Sequence, residues 1–256
     1  MRPQSADTIP EAYLRDLRLF ASDIDDTLST GGKIPPEIID TLLRVKAAGV
    51  AVWLVTGRAA SWGQALSHYF DVNGVITENG GVICHGETVR VLADESLLGR
   101  DRARLAEVFG EIQKRIPAAR PTGDNIGRLT DWAFDRASLL PEDVVLARDI
   151  AGEAGLNCVA SSIHVHLSAG VHTKATALGT VCDEAGIVDR QQVLTLGDSA
   201  NDEPLFDAER FPFSAAVANV TEYLPLLHHR PLFILPAPRA EGALWLLKRL
   251  LVSKGC

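Results

Sequence analysis

Short continuous apolar runs alternate along this chain with segments whose apolar residues recur at helical spacing. Residues 17–21 form such a run and end on an acidic cluster, which predicts a buried strand feeding an active loop. Pro35 and Pro36 then precede Ile38, Ile39, Leu42, Leu43 and Val45, spaced as on one helix face, with Gly49 as the stop. Residues 50–55 are nearly all β-branched or apolar, as in a strand covered on both faces. A helix over 59–69 and a brief strand over 74–77 come next. Strand, helix, strand, helix, strand is the order of a parallel sheet with crossover helices.

The same rhythm returns at the other end: helix 173–185, strand 192–196, helix 200–208, strands 213–217 and 231–235, and a closing helix 240–252. Between the two ends the pattern changes. Strands at 82–84 and 88–92 precede a long helix at 101–116, a turn at 117–123 and a strand near 128–134. A helix at 142–154 and strands at 158–160 and 163–167 complete the stretch. The fold class expected is α/β: a doubly wound parallel core from 1–81 and 169–256, with a smaller α+β domain, 82–168, inserted in it. There is no internal repeat and no low-complexity tract.

Composition narrows the classes of partner. Of 256 residues, 46% are hydrophobic and 23% charged, which suits a globular chain large enough to bury a core. Lys and Arg number 25 against 33 Asp and Glu, a formal charge of −8. That sign opposes non-specific binding to nucleic acid or an anionic membrane. The four cysteines are scattered without a CxxC pair, which points to free thiols in a reducing cytoplasm. The N-terminal segment carries Asp7, Glu11 and Asp16 and has no apolar signal region. The apolar stretch at 243–252 is too short to span a bilayer and contains Lys248 and Arg249. A cytoplasmic protein is expected, and nothing in the sequence sets its oligomeric state.

Asp23-Ile24-Asp25-Asp26-Thr27 follows the first strand directly. Ligands of open parallel sheets collect beyond the carboxyl ends of the strands, where this loop lies. Three carboxylates in four residues repel one another unless a cation or proton intervenes, and an all-oxygen donor set suits magnesium. An acidic surface turn is the bland alternative. A calcium EF-hand loop fails, because Leu28 stands where glycine is needed and Ile34 where glutamate is. Gly197-Asp198-Ser199-Ala200-Asn201-Asp202 ends a second apolar strand, so Asp198 leaves the same sheet edge as Asp23; a plain helix N-cap is the alternative for Asp198 or Asp202. Thr56-Gly57-Arg58 joins a hydroxyl, a turn glycine and a helix start, a combination able to hold phosphate oxygens or to be an ordinary turn. Lys174 begins the helix after the insert.

Asp-x-Asp-x-Thr, Thr-Gly-Arg, Lys and Gly-Asp-x-x-Asn-Asp, in that order and each after a strand or at a helix start, resemble the motifs of the haloacid dehalogenase superfamily. The insert between the second and third motifs, and Glu78-Asn79-Gly80-Gly81 at its threshold, look like the Cof-like subclass, in which an α+β cap covers the site. The resemblance extends from Leu17 onward. It implies that Asp23 is a nucleophile forming an aspartyl-phosphate and that Asp25 is the acid and then the base. It further implies Mg2+ held by Asp23, Asp198 and the Asp25 backbone carbonyl, with Lys174 sharing the screening of charge. Asp202 would orient Lys174 or a water of the ion, and Thr56 would bind the phosphoryl group; Asn201, Gly57 and Arg58 support. The family commonly has glycine where this chain has Asp26, whose carboxylate is expected to face solvent or cap the following turn.

The resemblance implies a phosphatase for a small phosphorylated metabolite, a sugar phosphate by preference. A phosphomutase on the same residues, or a non-catalytic binding protein, remains an alternative. In the insert, Arg128, Asp131, His164, His166 and His172 are candidates for lining the cleft. His164 and His166 share one strand face, read as half-exposed, while Trp132 and Phe134 read as core.

Overall fold

The structure, a computed structural model, describes residues 3–94, 96 and 98–256. Among the described residues the strands form two sheets. The larger holds β1 (Gln4–Ser5), β2 (Leu19–Ser22), β3 (Ala51–Val55), β4 (Gly74–Thr77), β5 (Val82–His85), β6 (Thr88–Val91), β10 (Val193–Gly197), β11 (Phe213–Ala216) and β12 (Phe233–Ile234). Their order is β1-β12-β11-β10-β2-β3-β4-β5-β6, with every pairing parallel except β4–β5 and β5–β6. The smaller sheet is antiparallel, in the order β7-β9-β8, from Asp131–Asp135, His164–Ser168 and Asn157–Ala160 respectively.

Helices cover both faces of the large sheet, so its central strands are buried throughout: all four residues of β2 and all five of β10 are inaccessible. On one face, α1 (Glu11–Asp16), α2 (Pro36–Ala47), α3 (Ala60–Tyr69) and α7 (Arg239–Ser253) pack Leu14, Ile38, Leu42, Ala60, Leu246 and Leu250 onto Phe20, Val52 and Leu194. On the other face, α6 (Lys174–Glu184) lays Leu178 and Val181 on Leu19 and Val55. Truncating Phe20 to alanine would cost about 3–5 kcal/mol by opening this core. The small sheet packs one face on α4 (Leu98–Arg115) and α5 (Pro141–Glu153), joining Val165 and Leu167 to Phe109, Ile112 and Ala147.

Register fixes what leaves the sheet edge. Leu196 lies beside Ser22, and Ser22 beside Leu54, so the chain emerges at Asp23, Asp198 and Thr56 from three adjacent parallel strands. From β2 the sheet continues through β3 on one side and through β10 on the other. That reversal is where an open α/β sheet leaves a crevice.

The doubly wound class and the inserted α+β unit are as expected, but several elements differ. Residues 82–91, expected in the insert, extend the large sheet, since β5 pairs antiparallel with β4. The helix expected at 200–208 is a 3-10 segment, Ala200–Phe206, interrupted by Pro204, which lacks the donor a helix interior needs. The strand near 128–134 begins only at Asp131, after a 3-10 turn at Gly123–Gly127. Both β1 and α1 lie ahead of Leu17, in a stretch whose pattern predicts neither. Among the described residues, no helix is long and apolar enough to cross a membrane.

Candidate active site

Asp23 follows β2, and its backbone N–H donates to the Leu196 carbonyl across the β2–β10 seam (2.9 Å). Its side chain is buried, and Oδ1 accepts from Lys174 Nζ at 2.7 Å. Lys174, at the first turn of α6 and fully buried, donates equally to Asp202 Oδ1 at 2.7 Å. Asp202 Oδ2 accepts from the backbone N–H groups of Asp198 (2.9 Å) and Ser199 (3.1 Å), so both its oxygens are occupied. This loop exists because residue 197 is glycine: a Cβ there would stand 2.5 Å from the Asp202 side chain. Asp198 Oδ1 accepts from Thr27 Oγ1 (3.3 Å) and Oδ2 from Asn219 Nδ2 (2.9 Å).

One carboxylate oxygen from each of Asp23, Asp198 and Asp202 lies within 4.8 Å of the others. Three buried carboxylates thus face one ammonium. Burial, the largest influence, pushes Asp23 from its ordinary 3.8 up to about 7, against the pull of Lys174 and with help from Asp202 and Asp25. Asp198 is also driven well above the usual carboxylate range, by burial and then by Asp202 and Asp23. Burial works against the Lys174 charge as well, but the two carboxylates outweigh it and hold the ammonium above the lysine range. Hard oxygen donors with unbalanced negative charge match a magnesium ion. Asp202 is tied to the Lys174 ammonium and two backbone N–H groups, whereas Asp198 accepts only from the neutral Thr27 and Asn219 side chains and Asp23 uses only Oδ1, so Asp23 and Asp198 are the side chains that fit it best. Among the described residues, Asp23 Oδ2 and the Asp25 carbonyl have no hydrogen-bond partner.

The other expected residues gather here too. Asp25 receives Arg58 as a fork, Nε at 2.9 Å and Nη2 at 2.7 Å, so the Arg58 side chain supports the site by holding Asp25. Thr56 is buried, with Oγ1 accepting from the Arg58 backbone N–H (3.1 Å). Asn201 donates to Asn79 Oδ1 (3.0 Å) and accepts from Ser199 Oγ (2.9 Å). Asp26 does not simply face solvent. It adopts φ 57°, the left-handed region that glycine occupies freely, and its Oδ1 pairs with Arg239 Nε at 3.0 Å.

The small sheet closes the site from the other side. Its β9 turns Val165 and Leu167 to α4 and α5, so His164 and His166 face the opposite way, as a period of two requires. That face is covered rather than half-exposed, since both histidines are buried against the large sheet's loops. They line one cleft with Asp23, Asp25, Gly57 and Asp198. Burial lowers His164 to about 4, with its neighbours Arg58 and Arg128 adding to the effect. Arg128 Nη1 donates to the Gly57 carbonyl at 2.9 Å, tying the two units together. Glu78, buried at φ 52°, ties them again by accepting from Ala60 N, Leu129 N, Thr130 N and Thr130 Oγ1. Of the insert aromatics, Phe134 is buried and Trp132 partly so, both against α4.

Asn219 belongs to none of the sequence motifs. It sits just beyond β11, with Nδ2 reaching Asp198 and the Asp26 carbonyl (3.2 Å) and Oδ1 accepting from Arg239 N (3.0 Å). The available signal is a side-chain amide at the carboxyl end of the strand next to β10.

A model of haloacid dehalogenase-like hydrolases matches residues 20–120. The chain is 28% identical over 228 residues to a phosphoglycolate phosphatase of Methanothermobacter thermautotrophicus, covering 88% of this chain and 95% of that one. It is 30% identical over 191 residues to a phosphoglycolate phosphatase of Halobacterium salinarum, covering 74% and 80%. The crystal structure of Thermoplasma acidophilum 0175 superposes with a TM-score of 0.74 at 24% identity, covering 91% of this chain and 98% of that one.

Proposed function

The chain belongs to the haloacid dehalogenase-like hydrolases, and from that premise we propose that it is a magnesium-dependent phosphatase of small phosphorylated metabolites, working through an aspartyl-phosphate on Asp23. The observation that carries this reading is the buried Lys174 bridge between Asp23 and Asp202, with Asp198 alongside.

In this mechanism Asp23 Oδ2 attacks phosphorus, a phosphorus–oxygen bond forms, and the ester bond to the alcohol breaks. Asp25 gives its proton to the departing alcohol oxygen and then takes one from the water that attacks the aspartyl-phosphate, releasing phosphate and restoring Asp23. Both Asp25 oxygens accept from Arg58 in this structure, one bond each, which leaves a second lone pair on each oxygen to carry the proton. Lys174 keeps Asp23 in place and screens its charge against the phosphate, Asp202 positions Lys174, and Thr56 supplies a hydroxyl to the phosphoryl group. Mg2+, held by Asp23, Asp198 and the Asp25 carbonyl, would supply charge neutralisation at the phosphoryl oxygens.

The unit carrying β7, β8 and β9 serves as the cap. Phosphoglycolate is the first substrate to try, because the Methanothermobacter and Halobacterium relatives are phosphoglycolate phosphatases; sugar phosphates are the second. The cysteines are unpaired, which fits a reducing, cytoplasmic setting. The test is a phosphate-release screen over phosphoglycolate and sugar phosphates, with magnesium and with EDTA. Release that needs magnesium supports the reading. Isomerised ester with little free phosphate would make the protein a mutase, and no turnover of any ester would leave the phosphatase reading without support.

A further inference from the structure

Every nitrogen of the cap's buried Arg128–Asp131–His166 cluster has a partner except one. Arg128, fully buried, directs Nη1 at both oxygens of Asp131 (2.9 and 3.0 Å) and at the Gly57 carbonyl, and turns Nε and Nη2 to Asp124 (both 3.1 Å). Asp131 is itself buried. Burial alone would raise its carboxyl, but Arg128 and His166 outweigh that and hold it below the usual range. Its Oδ2 lies 2.9 Å from His166 Nδ1. An ionised carboxylate only accepts, so Nδ1 carries the ring proton. A second ring proton would set a buried cation near both Arg128 and Lys174, and burial, the largest influence, already lowers the pKa of this imidazole. His166 Nε2 therefore presents a bare lone pair. It is buried, has no partner among the described residues, and lies so near Gly57 that a Cβ there would be 2.9 Å away. It lines the cleft that holds Asp23 and Asp25.

We infer that His166 determines specificity: its Nε2 accepts a hydrogen bond from a hydroxyl on the substrate's leaving group, and Asp131 and Arg128 are the positioning residues that keep it an acceptor. This rests on the phosphatase reading and deepens it. The favoured ester is one whose alcohol carries a further hydroxyl, because a site built around a buried acceptor rejects an analogue that cannot donate to it. A carboxylate in the same place brings no proton and faces a lone pair, so of the two substrate classes proposed above His166 favours the sugar phosphates over phosphoglycolate.

The test compares kcat/KM for glycerol 1-phosphate and for propyl phosphate, which has the same carbon chain without the hydroxyls. The wild-type protein should prefer the first by about 100-fold, the cost of leaving one buried acceptor unpaired. His166→Leu should reduce that ratio to within about fivefold, and His166→Gln, whose amide oxygen can accept, should restore much of it. In Asp131→Asn the ring proton should no longer be confined to Nδ1, read as a change in the two imidazole nitrogen signals. Nitrogen NMR of the wild-type imidazole gives a readout independent of activity and of any variant's folding. A proton-free Nε2 is expected, and a protonated Nε2 overturns the inference. So does an unchanged ratio in folded His166→Leu, or a preference for phosphoglycolate over glycerol 1-phosphate that His166→Leu abolishes. Phosphate release from p-nitrophenyl phosphate separates the two levels: with none, the phosphatase reading falls, whereas release without hydroxyl discrimination removes this inference alone.

Discussion

On the large-sheet side of the cleft, Asp23 and Asp202 share one ammonium, Lys174, and a third buried carboxylate, Asp198, lies beside them on neutral donors. On the cap side, Arg128 lies between Asp124 and Asp131, and the adjoining His166 is held in one tautomer by a hydrogen bond. Both walls bury ionisable groups, yet among the described residues the first leaves Asp198 without a cationic partner, whereas the second pairs each of its two carboxylates with Arg128. A wall with surplus charge suits a cation and a reaction that moves charge. A wall whose charges are internally paired is left to recognise the substrate through single polar atoms.

The largest test of this contrast removes the proposed nucleophile. Asp23→Asn should lower phosphate release by on the order of 10^4-fold or more while the circular dichroism spectrum is retained. A loss below about tenfold would mean that the surplus charge is not catalytic. Next is the cation itself. An Asp23 carboxyl raised to about 7 holds a proton in the folded, metal-free protein that the unfolded chain has released above about pH 4. The contribution of this group to stability is therefore present at low pH and falls as pH rises from about 4 through 7. Magnesium at pH 8 should reverse that loss and raise Tm by about 5–10 °C at 100 times Kd, but much less at pH 5, where protons compete for the same oxygens. Calorimetric melts at the two pH values, with magnesium and with EDTA, check this. An equal rise at both would place the ion elsewhere.

Smaller changes sharpen the picture. Asn219→Ala removes the amide that orients Asp198 and should weaken magnesium binding by about 10–100-fold, read by titration calorimetry. The smallest effect belongs to Asp26→Gly. It relieves a left-handed backbone and breaks a partly exposed pair with Arg239, two terms of opposite sign, so stability should move by less than about 1 kcal/mol and kcat by less than about tenfold.

The large-sheet wall is largely legible in the sequence because its acidic loops each follow a continuous apolar run. Such a run predicts a central parallel strand, and a parallel strand predicts where its carboxyl end points. The cap wall is legible only in part. The period of two puts His164 and His166 on one face, but what covers that face is a loop about 100 positions earlier in the chain, which no local pattern encodes. The same limit applies to Asn219, and to Asp26, whose partner Arg239 lies 213 positions away. Strands β5 and β6 are legible as strands but not as members of the large sheet, because a short strand carries no mark of the sheet edge it joins. Polar β1 gives no apolar signal at all.

The central claim is one ion shared by Asp23 and Asp198 beside an attacking carboxylate oxygen. A crystal structure of the protein with magnesium and beryllium fluoride, a phosphoryl mimic, tests this most directly. The mimic is expected on the Asp23 carboxylate, with magnesium coordinated by both Asp23 and Asp198. Magnesium bound away from Asp198, or the mimic bound anywhere other than Asp23, would contradict it.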